Sequence, residues 1–179
     1  EEDEEDAADD LQALIEVGEA EGIIEERDRE LIESMVGFSD TVAGDVMTPR
    51  TEIVAIPIEA TVREARDLII EHKYSRIPVY SESIENIEGV LYVRDLLQAW
   101  ANGKEMLPIK DMLRPAFFIP ETKPAADLLK SMQQNHVQIA IVIDEYGGVA
   151  GVVTVEDLIE EIVGEIEDED IEEIGRAHV

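Results

Sequence analysis

Hydrophobic and polar positions along this chain follow one pattern twice. In each of two stretches, a short apolar run is followed by a helical stripe, two further apolar runs and a second helical segment. The landmark residues keep nearly constant spacing in the pairs Met47 and Met112, Pro57 and Pro120, Leu68 and Leu128, Gly89 and Gly151, and Asp95 and Asp157. The pattern therefore predicts one β-α-β-β-α unit that is encoded twice.

The first unit contains a clear helix start at Thr61. Glu64 follows three residues later, as in a capping box, and Val62, Ala65 and Ile69 form the apolar stripe of the predicted helix. The other predicted elements are strands at 53–56, 77–80 and 90–93 and a final helix that begins at Asp95.

The second unit repeats these elements with different boundary residues. Thr122 is the predicted cap of its first helix, with Pro124 in the first turn. The predicted strands lie at 117–119, 139–143 and 149–153, and the final helix begins at Thr154. Gly147 and Gly148 lack the ending of a phosphate-binding loop, so a tight turn between two strands is predicted there.

We expect an α/β (α+β) fold in which the two units pack as a pseudo-two-fold pair, because each sheet has an apolar face that the other can cover. The predicted organisation is an acidic lead and helical connector at 1–40, a first repeat at 41–104, a second repeat at 105–168 and an acidic tail at 169–179. Apolar residues at helical spacing between Leu11 and Val36, interrupted at Gly22, predict a helical hairpin or a connector.

The charge of the chain narrows the range of functions. Among 179 residues, 44 Asp and Glu outnumber 14 Lys and Arg, which gives a net charge of −30. Such a polyanion is repelled by nucleic-acid phosphates and by anionic lipid headgroups, so no nucleic-acid partner is expected. There is no cysteine, which excludes disulfides and thiolate sites, and no apolar run of about 18 residues that would insert into a membrane. The acidic ends are either solvated termini or a cation-sensing cluster.

A pair of residues, Thr154 and Asp157, and a single arginine, Arg76, carry candidate binding chemistry. Thr154 and Asp157 read as an ordinary capping box, or as a helix start whose free N–H groups and carboxylate suit a phosphate and a ribose. Arg76 reads as a surface ion-pair partner, or as a contact to a phosphate or a base. The three histidines are widely separated and do not have metal-ligand spacing, so the sequence identifies no metal site. No nucleophile–base pair is visible, so the chain is not expected to be an enzyme.

The repeat resembles a pair of cystathionine-β-synthase (CBS) domains, known as a Bateman module. The resemblance is strongest to the CorC/HlyC magnesium and cobalt efflux family and to the cyclin-M metal transport mediators. It rests on the segments DVMTPR at 45–50, YSRIPVY at 74–80, NIEGVLYVRDLL at 86–97, DEYGGVAG at 144–151 and TVEDLIEEIVGEI at 154–166, and on EGIIEERDRELIESM at 21–35.

This resemblance implies a cytoplasmic regulatory module that binds an adenosine nucleotide, ATP or else AMP or ADP, with magnesium favouring binding. The implied contacts to the base are Thr48, Tyr74, Ser75, Arg76, Ile77 and Pro78, and those to the ribose and phosphates are Thr154 and Asp157. The first repeat has Tyr92 where the second has Thr154, which predicts one site per chain. The implied partners are a second copy of the chain, in a homodimer, and a membrane transport domain, in the same parent chain or in a separate transporter.

Two alternatives stay open at this point. One is an enzyme that acts on phosphate esters, for which carboxylates are plentiful but no catalytic constellation is visible. The other is a structural dimerisation or cation-sensing scaffold that binds no nucleotide, which the acidic ends favour.

Overall fold

A computed structural model describes residues 40–164 of the chain. The first half begins with a short helix and a two-residue strand. Its elements are α1 (Ala43–Val46), β1 (Thr48–Pro49), a 3₁₀ turn (Arg50–Glu52), β2 (Ile56–Pro57), α2 (Val62–His72), β3 (Arg76–Tyr80), β4 (Ile87–Tyr92) and α3 (Val93–Ala101).

The second half has the same order of elements. It contains a 3₁₀ turn (Ile109–Met112), β5 (Phe118–Pro120), α4 (Ala125–Asn135), β6 (Ile139–Ile143), β7 (Val149–Thr154) and a helix, α5, over residues 155–164. The prediction of two β-α-β-β-α units is confirmed.

The strands form two sheets, one for each repeat. The first sheet has the order β2-β3-β4, in which β2 and β3 are parallel and β3 and β4 are antiparallel. The second has the order β1-β7-β6-β5, with the equivalent parallel and antiparallel pairs. Strand β1 is the additional member, and it comes from the beginning of the first repeat.

The predicted start of α2 is confirmed in atomic detail. Thr61 Oγ1 accepts a hydrogen bond from the Glu64 N–H at 3.2 Å, which satisfies one of the free donors at the helix start. Val62, Ala65 and Ile69 are buried along one face, as their spacing predicts. Its C-cap is Lys73, which has a left-handed backbone conformation with a φ of 59°.

Several predicted boundaries are wrong. Thr122 does not cap α4; Pro124 is the N-cap, and no side chain caps the helix. The ring of Pro124 disfavours the helical conformation at the residue before it, Lys123, so the helix does not begin before Pro124. The strand predicted at 53–56 is reduced to Ile56–Pro57, because the preceding 3₁₀ turn closes through the Ile53 N–H. Helix α3 begins at Val93 rather than at Asp95.

Each repeat receives a backbone segment that leads into the other repeat. Thr48 pairs with Val152 in the second sheet, and Arg114 pairs with Val90 in the first. Thr48 and Arg114 therefore occupy equivalent positions in the two repeats. The residue equivalent to Met47 is then Leu113, so the predicted match of Met47 with Met112 is wrong by one residue. Met47 lies against Gly151, and Leu113, which also precedes the pairing residue, lies against Gly89.

The hydrophobic core has three parts. In each repeat, one cluster lies between the sheet and the helices of that repeat. The cluster of the first repeat includes Ile77 and Leu91, and that of the second includes Leu128 and Val153. The third cluster lies between the two sheets and contains Val90, Ile139, Ile141, Val149 and Val152. The apolar faces of the repeats therefore cover each other, as predicted.

Two predicted segments lie outside the described residues: the helical hairpin within 1–40 and the acidic tail at 169–179. Among residues 40–164, no helix is both long enough and apolar enough to cross a lipid bilayer.

Because β1 lies directly against β7 at Gly151, we predict that position 151 cannot accommodate a side chain. A methyl group there would overlap the Thr48 carbonyl oxygen and lie 2.7 Å from Met47 Sδ. We expect Gly151→Ala to lower the free energy of unfolding, measured by urea denaturation, by about 1–3 kcal/mol. Gly44→Ala is the control, because the nearest atom to its methyl group would be 3.4 Å away. Equal stability of the two variants would contradict this account of the crossing.

Candidate functional site

A cavity of about 290 Å³ lies between the two repeats. One wall is formed by β1, the residues that follow it, and the segment between α2 and β3. The other wall is formed by β6, β7 and the first turn of α5. The volume is near the lower end of the range for small-molecule sites, about 300–1,000 Å³.

The cavity brings together seven of the eight side chains predicted for the site. These are Thr48, Tyr74, Ser75, Arg76, Pro78, Thr154 and Asp157. Ile77 is the exception, because its side chain is fully buried in the core of the first repeat and does not line the cavity. Strand alternation explains this, since Arg76 and Pro78 lie on the face opposite to Ile77.

Thr154 and Asp157 form a reciprocal capping box at the start of α5. The Asp157 N–H donates to Thr154 Oγ1 at 3.1 Å, and the Thr154 N–H donates to Asp157 Oδ2 at 3.0 Å. These bonds fix the carboxylate in the cavity wall. The second oxygen, Oδ1, makes no hydrogen bond within residues 40–164 and can accept one from a ligand hydroxyl.

Arg76 forms a two-point ion pair across the cavity with Glu156. Its Nη1 and Nη2 atoms donate to Glu156 Oε2 and Oε1 at 2.8 and 2.7 Å. The Arg76 hydrogen bonds are the largest cause of a Glu156 pKa below its usual value. Because Arg76 begins β3 and Glu156 lies in α5, this pair joins the two repeats.

Sequence reasoning missed half of the lining residues, namely Glu52, Ile53, Val54, Lys73, Ile139, Val152 and Glu156. Strand alternation could have identified Ile139 and Val152, since both face the other repeat. Glu156 lies between Thr154 and Asp157, but its partner is 80 residues away, and local spacing does not show such a contact.

The lining suits a ligand that has both a flat apolar part and a polar part. Its apolar members are Ile53, Val54, Pro78, Ile139 and Val152, and its charged members are Glu52, Lys73, Arg76, Glu156 and Asp157. Three carboxylates therefore face two cations, which leaves no excess of positive charge. Within residues 40–164, no group of three or more His, Asp or Glu side chains is arranged to hold a metal ion.

Glu85 contacts Arg50, close in sequence to the cavity wall at residues 52–54. The Glu85 carboxylate pairs with Arg50 and accepts a hydrogen bond from the Val149 N–H at 3.1 Å. Glu85 lies in the loop between β3 and β4. Through these two contacts it links that loop to the start of β7 and to the 3₁₀ turn at Arg50–Glu52.

The equivalent positions in the first repeat contact one another. Arg114, the counterpart of Thr48, donates to Asp95 through Nε at 2.9 Å and Nη2 at 3.2 Å. Its guanidinium carbon lies 4.4 Å from the ring centroid of Tyr92, whose hydroxyl accepts a hydrogen bond from the Gln138 N–H at 3.4 Å. Both carboxylate oxygens of Asp95 accept hydrogen bonds from Arg114. Asp95 therefore has no oxygen without a hydrogen bond, unlike Asp157.

Comparison with known proteins identifies the repeat. The CBS-domain profile matches residues 43–102 and 108–164. The structure is also similar to the CBS domain of the bacterial CNNM/CorC family Mg²⁺ transporter. The two share 40% identity with a TM-score of 0.76, over 87% of this chain and 95% of that one. The chain belongs to the tandem CBS-domain modules of the CNNM/CorC family.

Two further relatives bear on the function of this CBS module. One is the structure of the CNNM/CorC transporter CBS domain in complex with ATP, with 44% identity and a TM-score of 0.72, over 77% of this chain and 98% of that one. The other is the magnesium and cobalt efflux protein CorC of Escherichia coli strain K12, 41% identical over 92% of this chain and 56% of CorC. The chain spans about half the length of CorC and smaller shares of other curated relatives, 25% in one case.

The Asp95–Arg114 pair predicts a pH-dependent contribution to the stability of this CBS module. Hydrogen bonding to Arg114 lowers the pKa of Asp95 below its ordinary value of 3.8. Folding therefore disfavours the protonated carboxyl, so the pair stabilises the protein above pH 3.8 and this contribution is lost as the pH falls through the lowered pKa.

We expect Arg114→Gln to lower the free energy of unfolding at pH 7 by up to about 1 kcal/mol, because the pair is partly exposed. The difference from wild type, measured by urea denaturation at a series of pH values, should shrink on acidification below pH 3.8. Arg63→Gln is the control, since Arg63 makes no ion pair within residues 40–164. A difference that is independent of pH would contradict the assignment to Asp95.

Proposed function

We propose that this module binds an adenosine nucleotide, ATP together with magnesium, in the cavity between the repeats, and that its occupancy regulates divalent metal transport. The observation that carries the proposal is the cavity itself, which gathers residues from two stretches about 80 residues apart around one space. A related CBS domain of the family has been solved in complex with ATP, and the relative CorC is a magnesium and cobalt efflux protein.

The lining supplies suitable contacts for each part of the nucleotide. Adenine would pack against apolar side chains that include Ile53 and Ile139, next to Thr48, Tyr74 and Pro78. The Arg76 guanidinium instead points towards the start of α5, through its pair with Glu156. Asp157 Oδ1 would accept hydrogen bonds from the ribose hydroxyls. The phosphates would lie towards Thr154 and the start of α5, where the helix dipole favours negative charge.

Magnesium would arrive with the nucleotide. The two lining cations, Lys73 and Arg76, face three carboxylates and cannot neutralise a triphosphate. A magnesium ion prefers phosphate oxygens and its own water ligands to a cage built only from protein groups. The proposal therefore places the ion on the phosphates and assigns it no protein ligand.

Regulation would follow from the position of the ligand. A nucleotide that contacts both repeats binds more tightly when the repeats adopt the arrangement that fits it, and it shifts the population towards that arrangement. A transport domain, in the same parent chain or in a separate transporter, would respond to the change at the cytoplasmic side of the membrane. This function is regulatory and includes no catalytic step.

The proposed assembly is a homodimer, and exposed apolar residues support it. Leu97 on α3 is 62% exposed, and its counterpart on α5, Ile159, is 47% exposed. Val163, one turn after Ile159, is 44% exposed. Leu97 and Ile159 occur at equivalent places in the two repeats, as expected for a surface that pairs with a second copy.

The nucleotide proposal predicts that Asp157→Asn weakens ATP binding. Loss of a charged acceptor for the ribose hydroxyls should cost about 1.5–3 kcal/mol, which is roughly a 10- to 100-fold rise in Kd by isothermal titration in magnesium. Asp95→Asn is the matched control, because it removes the equivalent carboxylate in the first repeat. Circular dichroism should show that both variants are folded.

Two outcomes would count against the proposal. Equal affinity of wild type and Asp157→Asn would remove Asp157 from the site. No binding of any adenine nucleotide to folded wild type would favour the alternative of a dimerisation or cation-sensing scaffold.

If the module is a homodimer, charged residues at Leu97 and Ile159 should lower the mass of the particle in solution. Wild type at micromolar concentration should have twice the chain mass by light scattering, and the double variant Leu97→Asp, Ile159→Asp should be monomeric, because charges are costly in an apolar interface. The control is Met106→Asp, a residue that is 69% exposed and lies outside both helices. A monomeric wild type would overturn this part of the proposal.

A further inference from the structure

The arginine nearest to the expected phosphates is already paired within the protein. Both terminal nitrogens of Arg76 donate to Glu156, at 2.7 and 2.8 Å. A guanidinium that is held by two parallel bonds to one carboxylate has the geometry that it would also use for a phosphate. A ligand phosphate and Glu156 would therefore compete for the same face of Arg76.

The two partners of this pair differ in their freedom to move. The Arg76 side chain is only 15% exposed, whereas that of Glu156 is 60% exposed. Arg76 is also fixed by its place at the start of β3, next to the buried Ile77. Glu156 is the more exposed partner, so its side chain is the freer of the two to move away.

We propose that Glu156 is an internal competitor, which holds Arg76 in the empty module and has to release it before Arg76 can contact a phosphate. This inference rests on the proposed function, since it concerns the same cavity. It assigns Glu156 a role that lowers affinity, although Glu156 lies in the lining between two residues that are proposed to bind the ligand.

The exchange would replace one connection between the repeats by another. In the empty module, Arg76 of the first repeat is tied to α5 of the second through Glu156. In the occupied module, Arg76 would be tied to the same helix through the ligand phosphate at the N-terminus of α5. The cost of releasing Glu156 is subtracted from the binding free energy, so removal of the competitor should tighten binding.

The test compares Glu156→Gln with Glu160→Gln. Both changes remove one negative charge from α5, but only the first removes the Arg76 pair, because Glu160 is exposed and does not line the cavity. We expect Glu156→Gln to bind ATP about two- to five-fold more tightly than Glu160→Gln by isothermal titration in magnesium at one ionic strength. The gain should disappear in an Arg76→Gln background, where there is nothing to compete for.

Glu156→Asp provides a second variant that keeps the charge. Its side chain is one methylene shorter and cannot reach Arg76 in the same two-point geometry, so it too should bind ATP more tightly than wild type. Thermal unfolding without ligand checks that each variant is folded.

The outcomes separate this inference from the function on which it rests. If wild type and all variants fail to bind ATP, both are overturned. If wild type binds but Glu156→Gln binds no more tightly than Glu160→Gln, or more weakly, Glu156 is not a competitor and only this inference fails. A gain that persists in the Arg76→Gln background would show that the effect does not act through Arg76, and would overturn it as well.

Discussion

The relation between the two repeats depends on backbone pairing at two glycines. Thr48 and Arg114 each add to the sheet of the opposite repeat, and Gly151 and Gly89 lie where these segments cross. A side chain at either glycine would force the segments apart, and the apolar cluster between the sheets would then lose its close packing. The cavity lies along the same crossing, because Thr48 is part of its wall.

Local signals predict most of the fold, whereas contacts between distant segments are needed for the site. Thr61 and the apolar stripe of α2 are close in sequence, so the element and its start can both be predicted. Helix α4 begins later than predicted because Pro124 restricts Lys123 and therefore overrides the capping preference of Thr122. Spacing identifies the Thr154–Asp157 capping box, but no periodicity indicates that Glu156 meets Arg76 from 80 residues away.

The duplicated unit gives nearly symmetrical folds and unequal clefts. Substitution at two equivalent positions accounts for the difference: Arg114 in place of Thr48, and Tyr92 in place of Thr154. Arg114 pairs with Asp95 and stacks on Tyr92, so the first repeat carries an internal cation against its carboxylate. Asp157 Oδ1 in the second repeat makes no hydrogen bond within residues 40–164. Similar backbones therefore carry different side-chain contacts at the equivalent positions of the two repeats.

Thr48 also has a mechanical consequence. It is one of only two residues in β1, and a single residue, Met47, separates it from α1. At the far end of α1, the Ala43 N–H donates to the Lys123 carbonyl oxygen at 2.8 Å, which anchors that end to the second repeat. The main chain that enters the first repeat is thus itself a wall of the cavity. A displacement of that segment would therefore change the shape of the cavity wall, and a group that filled the cavity would restrain the segment.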